Sequence, residues 1–391
     1  MRTFTEAERR ARLAHRHFLA EPDGQLPIPE MTTALVGWHA TDPATPYLSL
    51  WARRPGFTVD ALDAEMYQHR RLVKQLAMRR TLWLVNSPDL AMVLPGASAR
   101  VADNERRRLI ADVEANGVAA DGAAWLKTAT TAVLAHLAEH GEASATQLRT
   151  ALPELTGTYD PAPGKTWGGA GHIAPRVMTV MSVHGDIVRG PNDGSWITSR
   201  PRWVSAEQWV GRVDRLPADE ARAELVRTWL RAFGPATVTD LKWWFGSTLT
   251  ASRAALAAIG AVEVDLDGTP GYVLADDEEP DTAPEHWVAL LPSLDVTVMG
   301  WFERDWYLGG HRGQLFDTNG NAGPTVWYDG RAIGAWNQDT SGRVQLHLLE
   351  DPGSGARKAL DRKAAELTDW LAGTRVNPRF PSALSKSIAM R

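Results

Sequence analysis

Cysteine is missing altogether, which removes disulfides, Cys-ligated zinc and iron–sulfur clusters from consideration. Missing too is any uncharged apolar run of about 18 residues, so no membrane-crossing helix is expected. Met1 to Glu6 lead into an arginine-rich amphipathic pattern and not an apolar core, so no secretory leader is expected. There is no P-loop, no Gly-x-Ser-x-Gly elbow and no Gly-x-Gly-x-x-Gly fingerprint. His172 and His184 share no metal-ligand spacing with nearby carboxylates. The expectation is a cytoplasmic monomer that works without metal or nucleotide cofactor. At 391 residues the chain is long for one core, and roughly two to four domains are expected.

Net positive charge is also lacking, since the formal charge is −5, but its distribution is uneven. Residues 1–110 carry 16 Lys+Arg against 12 Asp+Glu, and the remainder carries 26 against 35. In the basic part the arginines come in clusters: Arg53-Arg54, Arg70-Arg71, Arg79-Arg80 and Arg106 to Arg108. Phosphate binding needs local positive charge and not a basic protein. Arginines at helical spacing equally make solvated faces. Most of the 17 tryptophans, Trp243 and Trp244 included, read as core.

Periodicity and turn chemistry divide the chain. Helices are expected over residues 5–20, 31–39, 47–54 and 60–77, then a strand at 81–85 and a long helix opened by Ser87 or Pro88. The next unit has helices over 121–140, 145–152 and 173–184. Strands at 186–189 and 195–198 follow, joined at Asn192-Asp193-Gly194. Three helices followed by a hairpin make a winged helix. The order recurs with helices over 219–233, 239–245 and 250–259 and strands at 262–266 and 272–274. The N-terminal segment reads as a third, more distorted copy. After the acidic stretch Asp276 to Pro280 the period changes to two, with strands at 288–291, 296–301, 325–328, 332–336 and 344–349. Asp329-Gly330 marks a type I′ turn, and a helix over 357–371 follows. The fold class is α+β: tandem winged-helix domains, then a small C-terminal antiparallel sheet or barrel with a terminal helix. The expected domains are 1–118, 119–214, 215–278 and 279–391.

One stretch carries most of the chemistry. Trp38-His39-Ala40-Thr41-Asp42 packs an imidazole, a hydroxyl and a carboxylate into a turn that Pro43 prevents from being helical. Thr45-Pro46 then starts a helix bearing Arg53 and Arg54. His39 suits water activation near neutral pH, Thr41 suits holding a water, and Asp42 suits stabilising a nearby cation. The same residues also suit capping, since a histidine is favoured at a helix C-terminus and Asp42 before Pro43 is an ordinary turn choice. Elsewhere, Lys165 and Trp167 on a glycine-rich insertion offer a phosphate contact and a stacking face. Asn192 at the hairpin tip offers a groove contact, with Arg189 and Arg200 on phosphates.

Taken together, these segments resemble the bacterial winged-helix family that includes the AlkZ and YcaQ DNA glycosylases. The resemblance rests on Gly37 to Arg54, Met78 to Val85, the tandem winged helices, Leu290 to Asp295 with Gly300, and Pro324 to Trp336. It spans nearly the whole chain. In that family the catalytic turn is Gln-aliphatic-Gln or Gln-aliphatic-Asp, which places water against the sugar carbon of an alkylated nucleotide. His39, Ala40 and Thr41 occupy the equivalent positions, with Asp42 one residue beyond, so neither glutamine is present. The resemblance implies a monofunctional DNA glycosylase acting on N7-alkylated, even bulky, purines in duplex DNA, in repair or genotoxin self-resistance. Its catalytic residues would be His39, Thr41 and Asp42, and its DNA contacts Arg53, Arg54, Arg79, Arg80, Lys165, Trp167, Arg189, Asn192 and Arg200. The alternative is a winged-helix DNA-binding regulator or lesion sensor that catalyses nothing.

Overall fold

The computed structural model describes the chain apart from residues 21–25, 161–163, 165–168, 283–285 and 391. Contacts divide it into two compact units, residues 1–62 with 223–391, and residues 63–222. The first is therefore assembled from two stretches of chain.

In the 63–222 unit, the helix expected over 60–77 ends at Gln68. Arg70 then takes a left-handed φ of 57°, and Leu72–Leu76 is a strand paired antiparallel with Leu82–Asn86. The helical reading failed because Leu72, Val73, Lys74 and Gln75 are all buried. A strand covered on both faces shows no alternation. The long helix past Ser87 passes through a π-helical turn at Leu94–Ser98, where Pro95 removes a backbone donor, and continues as the α-helix Ala99–Ala115.

Helix Gly122–His140 starts at Asp121, whose side chain accepts the Ala124 amide. Helix Ala145–Ala151 opens on a reciprocal cap between Ser144 and Gln147. Helix Ala174–His184 follows, and strands 142–143, 201–205 and 187–192 form one antiparallel sheet in that order. Leu126, Val133, Leu148, Val177, Met181, Ile187 and Trp203 form its core. The second hairpin strand is Pro201–Ser205 and not 195–198. Residues 195–198 instead form the turn, Thr198 donating back to the Ser195 carbonyl.

The other unit holds helices Glu6–Arg16, Ile28–Ala34 and Thr45–Trp51, and helix Ala218–Phe233 from Ala223 onward. Helices Val238–Phe245 and Leu249–Ala258 lead into the hairpin Val262–Leu266/Thr269–Val273. A four-stranded antiparallel sheet runs in the order 288–291, 325–328, 331–338, 344–348. The turn at Asp329-Gly330 has both residues at positive φ, 44° and 80°, as a type I′ hairpin requires. Helix Ser354–Leu371 packs on the sheet, and helix Ala383–Ala389 packs on its third strand. Residues 296–301, expected as a strand, are turns. Asp295 bends the chain by accepting the Thr297 amide on its side chain and the Met299 amide on its carbonyl. No helix of the described residues is long and apolar enough to cross a membrane.

Candidate active site

The turn is built by an abrupt exit from helix Ile28–Ala34. Val36 and Gly37 both take positive φ, 59° and 108°, and the Gly37 amide reaches back to the Thr32 carbonyl at 2.8 Å. Glycine tolerates that geometry, while a β-branched valine held there marks a position fixed by its surroundings. Trp38, fully buried, donates its indole N–H to Thr32 Oγ1 at 2.8 Å. His39 follows in extended backbone. Pro43 prevents a helix from starting early, and the Asp42 carbonyl accepts the Thr45 amide at 3.1 Å.

Beneath the turn, helix Thr45–Trp51 is fastened to residues 293–297. Thr45 Oγ1 donates to the Ser293 carbonyl at 2.7 Å, and Ser49 Oγ donates to Asp295 Oδ2 at 2.6 Å. Arg53 completes the fastening with all five of its donors engaged. Nε meets the His17 carbonyl, Nη1 the Ser49 carbonyl and Asp295 Oδ2, and Nη2 Asp295 Oδ1 and Thr297 Oγ1. Arg53 and Asp295 are wholly buried. Burial pushes the Asp295 carboxyl up, but the Arg53 charge and the hydrogen bonds outweigh it and hold the carboxyl below its ordinary range. Arg53, expected on a DNA phosphate, is thus corrected to a core residue with no donor to spare.

Asp42 is pinned from both sides. The Ala44 amide donates to Oδ1 at 3.2 Å, and the Arg379 amide donates to Oδ2 at 2.8 Å. Burial raises the Asp42 carboxyl above its ordinary value, against the pull of these two amides and the Arg379 charge. His39 Nδ1 accepts the Thr41 amide at 3.4 Å, which places the proton of a neutral ring on Nε2. His39 and Asp42 are 3% and 5% exposed, while Thr41 is half-buried. Against Asp42, Thr45 and Ser293 lies a cavity of about 10 Å³, room for about one water. No cluster of three or more metal-ligating side chains occurs among the described residues.

Of the remaining sequence-predicted contacts, Arg54 belongs to the unit of the turn, and Arg79, Arg80, Arg189, Asn192 and Arg200 belong to the 63–222 unit. Arg54 is half-buried and donates to the Leu26 carbonyl. Arg79 and Arg80 both sit at positive φ in the tight turn between the strands of the first hairpin. Arg80 is exposed and grips the buried Glu105 through two bonds, at 2.6 and 3.2 Å. Arg189 and Arg200 are brought to one groove of about 470 Å³, with Thr179, Ser199 and Trp203. The Arg189 guanidinium lies 5.3 Å from the Trp203 ring centre. Asn192 is turned into its own hairpin, donating to the Thr198 carbonyl at 2.9 Å. Lys165 and Trp167 lie outside the described residues. Sequence reasoning missed Asp295 as the partner of Arg53, and Arg379 entirely. A lone acid between Leu294 and Val296 was a signal for the first; Arg379 carried none.

Residues 32–370 match the family model described as DNA glycosylase AlkZ-like. The chain belongs to the AlkZ-like DNA glycosylase family. A relative within reach of direct alignment is an interstrand DNA cross-link repair glycosylase of Streptomyces sahachiroi. It is 28% identical over 170 residues, which is 41% of this chain and 45% of that protein. The aligned part is thus under half of the relative's length. The solved structure of Streptomyces sahachiroi DNA glycosylase AlkZ superposes with a TM-score of 0.72 at 21% identity, covering 95% of this chain and 97% of that one. This AlkZ-like chain therefore shares that fold along nearly its whole length. The AlkZ-like match ends before Arg379.

Proposed function

We propose that this AlkZ-like protein hydrolyses the N-glycosidic bond of N7-alkylated purines in duplex DNA, in repair or genotoxin self-resistance. Two winged helices serve as its DNA-binding frame, over residues 119–214 and 215–278. The order of helices and antiparallel strands in each supports that reading. An N7-alkylated purine is cationic and leaves readily, so the sugar's oxocarbenium character is what needs stabilising. Asp42 supplies the charge for that. Its carboxylate is already oriented by two amides and loses nothing to reorganisation. Thr41, on the accessible side of the turn, holds the attacking water. His39, with Nδ1 engaged by the Thr41 amide, donates from Nε2 and orients the water or the sugar.

The observation that carries this reading is Asp42 itself, a buried carboxylate pinned by two amides one residue beyond the three positions that the resemblance equates with the family's catalytic turn. The test is strand cleavage in alkali after incubation with duplexes carrying N7-methylguanine or a larger natural-product adduct. Breaks are expected with wild type, absent with His39→Ala and lowered about 10²-fold or more with Asp42→Asn. The ionised carboxylate is the working form, so the rate should fall as pH drops through a value above the ordinary 3.8 of aspartate. The 3% exposure of His39 favours a second reading, a DNA-binding lesion sensor. Binding without breaks on every lesion would establish the sensor in place of the hydrolase.

A further inference from the structure

Arg379 reaches the catalytic turn twice. Its amide holds Asp42 Oδ2 at 2.8 Å, and its side chain returns to the same turn, Nη1 donating to the Thr41 carbonyl at 3.1 Å. A guanidinium has five N–H donors in a planar fork. Here only one is engaged, and among the described residues the side chain makes no ion pair. Two other arginines of this unit have no donor to offer. Arg53 has spent all its donors in the core, and Arg16 is clamped between Asp277 and Asp281. Arg379 is exposed, whereas His39 and Asp42 are buried. What the turn offers to solvent is therefore Thr41 and a guanidinium with four donors to spare.

An anchored guanidinium fork with four donors to spare matches the paired anionic oxygens of a phosphodiester. We infer that Arg379 is a DNA-backbone anchor, gripping the phosphate beside the target nucleotide while its bond to the Thr41 carbonyl sets the distance from that phosphate to the turn. The inference rests on the glycosylase reading above, and it gives that site a contact outside the stretch matched by the family model. Charge supplied at this point also fits a chain whose last two-thirds is otherwise acidic. Any substitution except proline keeps the residue 379 amide, so the side chain can be changed without releasing Asp42.

The experiment is equilibrium binding to a duplex carrying a tetrahydrofuran abasic analogue, at a series of salt concentrations, with wild type, R379Q, R379A and R379K. R379Q and R379A should each bind about tenfold more weakly at low salt. The slope of log affinity against log salt should fall by about one for both. R379K should keep the slope, because a point charge replaces the counterion equally well, while losing part of the affinity of the fork. Melting temperatures should match wild type throughout. Wild-type slopes in R379Q and R379A would overturn the anchor, and if wild type still cleaves the N7-methylguanine duplex the glycosylase reading survives that result. A wild-type protein that neither binds the abasic duplex nor cleaves the methylated one overturns both.

Discussion

At the scale of single residues, the site is governed by charges that have no access to water. His17 stacks against Trp301 and meets Thr297 Oγ1 and the Ala232 carbonyl. Burial, with the nearby Arg53 charge, pushes its imidazole down to about 3 from an ordinary 6.5. The unfolded chain therefore binds a proton that the folded chain refuses between those values, and stability must rise with pH across that window. His17 contributes no penalty above pH 6.5 and a growing one as pH falls toward 3. In urea titrations across this range His17→Gln should flatten the acid side of the stability curve relative to wild type. An unchanged slope would mean that His17 is protonated in the fold. Little of this was legible in the sequence. His39, Thr41 and Asp42 stand together because they are neighbours in the chain. The partners that fix the site lie 242 residues away for Arg53 and 337 for Asp42, and no local pattern announces them.

Secondary-structure elements were legible where the chemistry was local. Asp329-Gly330 specified its hairpin, and Ser144 with Gln147 and Asp121 specified their helix starts. Elements set by tertiary burial were not: strand 72–76 looked helical, and residues 296–301 looked like a strand. The start of helix Val238–Phe245 shows how a local device can acquire a distant duty. Asp240 completes a reciprocal cap with Thr237 through Oδ2, while its Oδ1 accepts the amides of Phe302 and Glu303 at 2.8 and 3.1 Å. It is fully buried. Thr237→Ala should cost about 1 kcal/mol, the usual value of a cap. Asp240→Ala should cost about 3 kcal/mol or more, because it orphans amides at two places in the chain. Chemical denaturation of both variants checks the ratio, and equal losses would show that the 302–303 contact contributes nothing.

At the scale of the whole molecule, the unit that holds the turn is discontinuous, residues 1–62 with 223–391. The sequence pattern suggested consecutive blocks, because periodicity is read along the chain and says nothing about which blocks close on one another. A fragment ending at Arg222 has Thr45 without the Ser293 carbonyl, Arg53 without Asp295 and Asp42 without the Arg379 amide. Such a fragment should show poorly dispersed amide resonances for residues 1–62 and no strand cleavage on any lesion. Native-like dispersion there would mean that the first 62 residues organise themselves unaided.

The bond from the Arg379 amide to Asp42 has a consequence for synthesis. Asp42 and Arg379 are 337 residues apart, so Oδ2 gains its amide only after every intervening residue has been made, whereas the Ala44 amide on Oδ1 is local. A truncation anywhere between residues 349 and 379 would spare the four-stranded sheet and the Ala44 amide on Asp42 Oδ1, yet leave Oδ2 without its donor.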